Sequence, residues 1–201
     1  MTPALIVWDF DGVLNANVVQ GRFVWADRLQ ADLGIDPKAF SSALFGSGVA
    51  RRVMRGQIDL RKFVADWLAA QGHDLSAEAF LDYWFTRDVH PDAQVLGWLT
   101  AHPARHVIGT NNERHRAAFI EGPMGFGARV DHIFASGRMG VAKPDPGFFA
   151  QIERWAGLPP RDILLIDDTA ANIAACTARG WRGFHFTDQT RADLPRVLGL
   201  A

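Results

Sequence analysis

Asp9 and Asp11, one residue apart and followed by Gly12, close the apolar run Ala4-Leu5-Ile6-Val7-Trp8. In a strand, residues i and i+2 point to the same face. If the strand continues through Asp11, both carboxylates point one way. If it ends at Asp9, they share the turn just past it. In either case two acids gather at the carboxyl end of a strand buried on both faces, where open α/β sheets bind ligands. Neighbouring carboxylates repel, so a cation, a shared proton or water must compensate them. A helix cap needs one acid; the second asks for chemistry.

Three more polar clusters fall at or near strand ends: Thr110-Asn111 after Arg105-His106-Val107-Ile108-Gly109, Lys143 in Lys143-Pro144-Asp145-Pro146, and Asp167-Asp168 after Asp162-Ile163-Leu164-Leu165-Ile166. Taken singly, each has an ordinary structural use. Asp and Asn occupy turns, and Asp168 or Thr169 serves as a helix cap. Taken together they suit one reaction. Asp9, Asp11 and Asp168 can share a hard divalent cation, and Mg²⁺ takes one or two carboxylates plus waters and substrate phosphate oxygens. Lys143, one of only three lysines with Lys38 and Lys62, adds a fixed positive charge. The Thr110 hydroxyl and the Asn111 amide are neutral donors for phosphate oxygens. This is the inventory of phosphoryl transfer, where positioning and charge neutralisation supply most of the rate. Other chemistries lack their parts. There is no Gly-x-Ser-x-Gly elbow, no Gly-x-Gly-x-x-Gly after the first strand and no Gly-Lys-Ser/Thr loop. The single thiol, Cys176, lies inside a predicted helix.

The elements that position these groups alternate. Strands are predicted near 4–9, 105–109, 130–135, 162–166 and 182–186. Helices are predicted over 91–102, 113–120, 146–156, 169–179 and 191–198, with 121–128 a loop and 137–143 irregular. That alternation implies a parallel sheet with right-handed crossovers. The connection from the first strand to the second spans about 95 residues, too long for a structureless loop. Residues 15–89 therefore read as an inserted helical unit without strands of its own. Its helices fall over 18–33, 37–45, 49–55, 60–70 (capped by Asp59) and 77–87 (capped by Ser76). A unit inserted there hangs over the carboxylates.

Composition sets the frame. The 201 residues are 48% hydrophobic and 21% charged, with net charge -1, which excludes a chain drawn by its field to nucleic acid or to an anionic membrane. Arg51, Arg52 and Arg55 form the one basic cluster and read as a solvated helix face. One cysteine allows no internal disulfide and fits a reducing compartment. The opening apolar run is too short to span a membrane and has no signal-peptide pattern, so the expected location is the cytoplasm.

The four segments Asp9-Phe10-Asp11-Gly12-Val13-Leu14, Ile108-Gly109-Thr110-Asn111, Lys143-Pro144-Asp145-Pro146 and Ile166-Asp167-Asp168-Thr169-Ala170-Ala171-Asn172 resemble, in order and spacing, the four motifs of the haloacid dehalogenase superfamily. The insertion resembles the helical cap of its first subfamily. The resemblance covers essentially the whole chain. It implies an α/β fold: a Rossmann-like, doubly wound parallel core from residues 1–14 and 90–201, with an α-helical cap domain over 15–89. It implies Asp9 as nucleophile, forming an aspartyl-phosphate, and Asp11 as general acid and then base. Thr110 and the backbone at Asn111 would hold phosphate oxygens, and Lys143 would stabilise charge on Asp9 and the phosphoryl group. Mg²⁺ would be held by Asp9, the Asp11 carbonyl and Asp168. Asp167 would be an additional ligand or stand behind the others, and Asn172 would brace the loop.

Asp11 separates the members of the superfamily. The dehalogenases resemble the chain but lack an acid there, because a departing halide needs no proton. The expectation is a Mg²⁺-dependent phosphomonoesterase for a small soluble phosphorylated metabolite. A sugar-phosphate mutase is the alternative, and a silent binding homologue a further one. In the insertion, Asn15, Asn17, Arg22 and Trp25 are candidates to reach the leaving group, with Trp25 equally a core residue. Oligomeric state is not encoded in any of these features.

Overall fold

The structure, a computed structural model, describes residues 2–200. In chain order its elements are β1 (Leu5–Trp8), β2 (Val18–Val19), β3 (Arg22–Phe23), α1 (Leu29–Leu33), α2 (Pro37–Phe45), α3 (Val49–Met54), α4 (Leu60–Ala70), α5 (Ala77–Arg87), α6 (Ala93–Ala101), β4 (Arg105–Thr110), α7 (Arg114–Glu121), β5 (His132–Ala135), α8 (Ser136–Met139), α9 (Pro146–Ala156), β6 (Ile163–Asp167), α10 (Ala170–Ala178), β7 (Arg182–His185) and α11 (Leu194–Leu198). Five strands form one parallel sheet in the order β5-β4-β1-β6-β7. It is an α/β, Rossmann-like core.

Side-chain alternation along β1 and β6 splits the core in two. Ile6, Trp8, Leu164 and Ile166 pack under α6, α7 and α11, with Val95, Leu99, Ile120 and Leu194. Leu5, Val7, Ile163 and Leu165 pack on the opposite face under α9 and α10, with Phe148, Phe149, Ile152 and Cys176. Both faces are covered, which is why β1 and β6 read as unbroken apolar runs. The winding runs from β1 through β4 to β5, then crosses back to β6 and β7 on the other side of β1. The reversal leaves a crevice at the carboxyl ends of β1 and β6, the place where such sheets take ligands.

Between β1 and β4 the chain builds a separate apolar cluster from Trp25, Leu29, Phe40, Leu44, Val64, Leu68, Phe80 and Phe85, with Phe119 of α7 packed against it. Asp59 and Ser76 cap α4 and α5 as the sequence suggests, accepting from Lys62 N at 2.9 Å and Ala79 N at 3.1 Å. Two expectations fail here. Residues 18–33 are not one helix, and the segment does contain strands: β2 and β3 form an antiparallel hairpin. Gln20 and Gly21 both take positive φ, 51° and 73°, the geometry of a two-residue hairpin turn flanked here by β-branched Val18-Val19. Val19 and Phe23, whose spacing mimicked a helix stripe, face solvent. Helix begins only with the 3₁₀ turn at Trp25 and with α1. A smaller correction is α8, a single helical turn where an irregular stretch is expected. Among the described residues, no helix is long and apolar enough to cross a membrane.

Candidate active site

Strand register brings the first acid to the later ones. Trp8 lies beside Ile166 in the sheet, and Asp9 N donates to Ile166 O at 2.8 Å. Asp9 thus sits level with Asp167, the last residue of β6. Lys143 enters from the loop before α9 and is enclosed between them. Its Nζ lies 2.9 Å from Asp9 Oδ2 and 2.6 Å from Asp167 Oδ2. Asp167 is fixed on every side: Asn172 Nδ2 donates to both of its oxygens, and Thr169 N donates to Oδ1 at 2.9 Å. Asp167 therefore anchors the lysine, and Asn172 braces Asp167. Asn111 holds the other side of Lys143, accepting from its backbone N at 2.8 Å and donating to its carbonyl at 2.9 Å. The Asn111 side chain is committed to this loop, so any contact from Asn111 to a phosphate falls to the main chain.

The charges do not balance. Asp9, Asp167 and Asp168 each offer one oxygen within 4.8 Å of the others, against one ammonium. Burial pushes the Asp9 carboxyl well above its usual range, with Lys143 opposing and Asp167 adding to the rise. Burial and then the Asp167 charge also raise Asp168. Burial works against the Lys143 charge, but Asp9 and Asp167 outweigh it and hold the ammonium protonated. Three acids with one cation, all oxygen donors, fit a hard divalent ion. The backbone leaves room for this: Gly12 has φ +78°, and a Cβ there would lie 2.4 Å from Asp168 Oδ2. Only glycine lets the turn after Asp11 approach Asp168.

Asp11 stands apart. Its carboxylate is not in the three-oxygen cluster; Asp167 takes the place expected for it. Asn17 Nδ2 donates to Asp11 Oδ1 at 2.8 Å, and Asn112 Nδ2 donates to Oδ2 at 2.8 Å. Asn112 Nδ2 also donates to Thr110 Oγ1 at 2.8 Å, so one amide ties the second acid to the buried threonine of β4. Asn17 bridges onward to Asp88 Oδ1 at 2.9 Å, and Arg116 meets Asp88 Oδ2 at 2.9 Å. Asn15 and Asn17 are fully buried in this network and support Asp11. Arg22 pairs with Asp27 at the surface, and Trp25 stacks on Trp84 in the helical cluster.

Asn112, Asp88 and Arg116 escaped the sequence reading. The repeat Thr110-Asn111-Asn112 carried one usable signal, since residues 110 and 112 share a side in an extended chain. Asp88 and Arg116 carried none, being 28 residues apart with no spacing rule between them.

The site opens on one side into a cleft lined by Asp11, Asn111 and Asn112 on the sheet side and by apolar residues of the helical segment, among them Phe23, Leu44, Phe45 and Val53.

Residues 3–180 match the family model described as haloacid dehalogenase-like hydrolase. Among curated proteins, a phosphoglycolate phosphatase of Pseudomonas savastanoi pv. phaseolicola is 27% identical over 184 residues, covering 89% of this chain and 67% of that protein. Among solved structures, a predicted HAD-like family hydrolase from Porphyromonas gingivalis superposes with a TM-score of 0.77 at 20% identity, covering 98% of each chain. A HAD family enzyme of Bacteroides thetaiotaomicron, in complex with magnesium and inorganic phosphate, superposes with a TM-score of 0.74 at 17% identity, covering 92% of this chain and 94% of that one.

Proposed function

The chain belongs to the haloacid dehalogenase-like hydrolases, and we propose that it is a Mg²⁺-dependent phosphomonoester hydrolase acting on a small phosphorylated metabolite. Residues 1–14 and 90–201 form its catalytic core and 15–89 its cap. The observation that carries this reading is the division of labour between the two first acids. Asp9 lies against Lys143 in the charge-deficient cluster, while Asp11 is held outside it by two asparagine amides, facing the cleft.

In the proposed reaction an Asp9 oxygen attacks phosphorus and the bond to the leaving oxygen breaks, giving an aspartyl-phosphate. Asp11 delivers the proton that the leaving alcohol needs. Its carboxylate then takes a proton from water, the water oxygen attacks phosphorus, and the bond to Asp9 breaks. Inorganic phosphate leaves and both acids are restored. Lys143 offsets charge on Asp9 and the phosphoryl oxygens, and Asp167 with Asn172 fixes its position. The Thr110 hydroxyl and the main chain at Asn111 bind phosphate oxygens. Asp9, Asp168 and the main-chain carbonyl of Asp11 would hold Mg²⁺, which supplies neutralisation of phosphate charge when bound. Dehalogenation has no use for Asp11, since halide departs without a proton. The phosphatase name of the Pseudomonas relative, and the magnesium and phosphate in the Bacteroides structure, point the same way.

The test is turnover of a generic aryl phosphate with Mg²⁺ and with EDTA. The expected result is hydrolysis that EDTA abolishes and that Asp9→Asn removes. Metal-independent turnover, or full activity in Asp9→Asn, overturns the proposal.

A further inference from the structure

We infer that the cleft beside Asp11 takes a small, uncharged, apolar leaving group, a short branched aliphatic or single-ring alcohol, in preference to one bearing a second anion. This rests on the phosphomonoesterase reading above and names its substrate class.

The cleft lies on the Asp11 side of the site, where the leaving oxygen must receive its proton. Its far wall is Phe23, Leu44, Phe45, Val53, Leu60 and Phe85. Its enclosed volume is about 90 Å³ and it is open at the mouth, where Phe23 and Phe45 are half-exposed, so a short branch or a single ring held partly at the mouth is the largest group it takes. Its polar lining is three acids, Asp11, Asp88 and Glu113, two amides, Asn111 and Asn112, already committed to Lys143 and to Asp11 with Thr110, and Arg116, the one cation among the described lining residues. That arginine is spent. Its guanidinium is buried against Asp88 Oδ2 at 2.9 Å, Phe85 O at 3.0 Å and Asp88 O at 3.2 Å, with the rings of Phe85 and Phe119 at 5.4 and 5.5 Å. Glu113 is likewise occupied, accepting from Arg116 N and His115 N at the start of α7. Of the other arginines near this part of the chain, Arg22 pairs with Asp27, Arg51 and Arg52 are exposed, and these two and the half-buried Arg55 are absent from the lining.

A leaving group with its own carboxylate, as in 2-phosphoglycolate, would lose its hydration beside three acids and gain no free cation. Burying an unpaired charge is strongly unfavourable. An apolar group loses nothing polar and gains the burial of its surface. By this account the preferred ester differs from the one that gives the phosphoglycolate phosphatases of Pseudomonas their name.

The experiment compares kcat/KM for phenyl phosphate, 3-methylbut-2-enyl phosphate and 2-phosphoglycolate, with Mg²⁺ and the full chain. The expected result is a preference of at least about tenfold for both apolar esters, of the size set by an unpaired anion in an apolar cleft. Phe23→Ala and Phe45→Ala alter half-exposed residues at the mouth, so folding is not at stake. Each is expected to raise KM for phenyl phosphate by about three- to tenfold through lost apolar contact, leaving inhibition by inorganic phosphate unchanged. Phe45→Arg, which supplies the missing cation, is expected to shift the ratio toward 2-phosphoglycolate. Equal or faster turnover of 2-phosphoglycolate by the unaltered protein overturns the inference, as does an unchanged KM in both alanine variants. If none of the esters is hydrolysed, the phosphomonoesterase reading itself falls.

Discussion

At the residue scale, the two acids of the first loop differ because of what each touches. Asp9 has Lys143 at 2.9 Å and a crowd of carboxylates behind it; Asp11 has amides. Asn112 is the most informative of these, because one nitrogen serves both Asp11 Oδ2 and Thr110 Oγ1. In the proposed mechanism it is a positioning residue for the proton donor and the phosphate pocket together. Asn112→Ala should lower kcat for an aryl phosphate by about ten- to a hundredfold, the range expected when a general acid is kept but misplaced, with KM changed far less. A structural role alone would lower the thermal midpoint and leave kcat per folded molecule intact. Steady-state kinetics beside a melting curve separates the two.

At the element scale, the helical segment leaves and rejoins the sheet through two chain stretches that run side by side. Ala16 N donates to His90 O at 2.7 Å, Asp92 N to Leu14 O at 3.0 Å, and Asn15 Nδ2 to Asp88 O at 2.8 Å. Arg116, from α7, clamps the returning stretch through Asp88, and both charges are buried. Burial pushes the Asp88 carboxyl up to about 7, with Arg116 opposing it. Removing one partner strands the other. Asp88→Ala is expected to cost about 3–5 kcal/mol of unfolding free energy, read from denaturant titration, because Arg116 is left uncompensated. Replacing both, as in Asp88→Leu with Arg116→Met, should recover a large part of that loss.

At the scale of the whole molecule, the sheet carries a titratable group in its core. His106 of β4 accepts from Trp8 Nε1 on Nδ1 at 3.1 Å, and its Nε2 lies 2.9 Å from His102 O. That pattern makes the ring neutral, with its proton on Nε2. Burial holds its pKa below the ordinary histidine value, so the unfolded chain binds the proton more readily. The stabilisation is therefore complete above about pH 6.5 and is lost as pH falls through the folded-state value. Asp88 works in the opposite sense, since its raised pKa favours the folded state as pH drops below about 7. The two are separated by variant comparison. His106→Gln should flatten the fall in thermal midpoint between about pH 8 and about pH 5 relative to the unaltered protein. An identical slope in the two proteins would show that His106 does not contribute.

Local chemistry was legible in the sequence wherever a short-range rule governs it. The apolar runs that end in acids mark β1 and β6, because a strand covered on both faces admits no polar alternation. Asp59 and Ser76 mark helix starts, because a side-chain oxygen must meet the first free N–H groups. The order Asp9, Thr110, Lys143, Asp168 marks the candidate site, because the carboxyl ends of parallel strands converge. The short-range rule failed at 18–33, where a two-residue turn with positive φ at Gln20 and Gly21 outweighed an apolar spacing that merely imitated a helix. What lay beyond the sequence was every contact fixed by packing across distance. Asp167 rather than the Asp11 carboxylate completes the acid cluster, Asn112 holds Asp11, and Asp88 spends Arg116. No spacing encodes these pairs, because partners separated by 24 to 101 residues meet only once the sheet order and the fold of the helical segment have set where each side chain points.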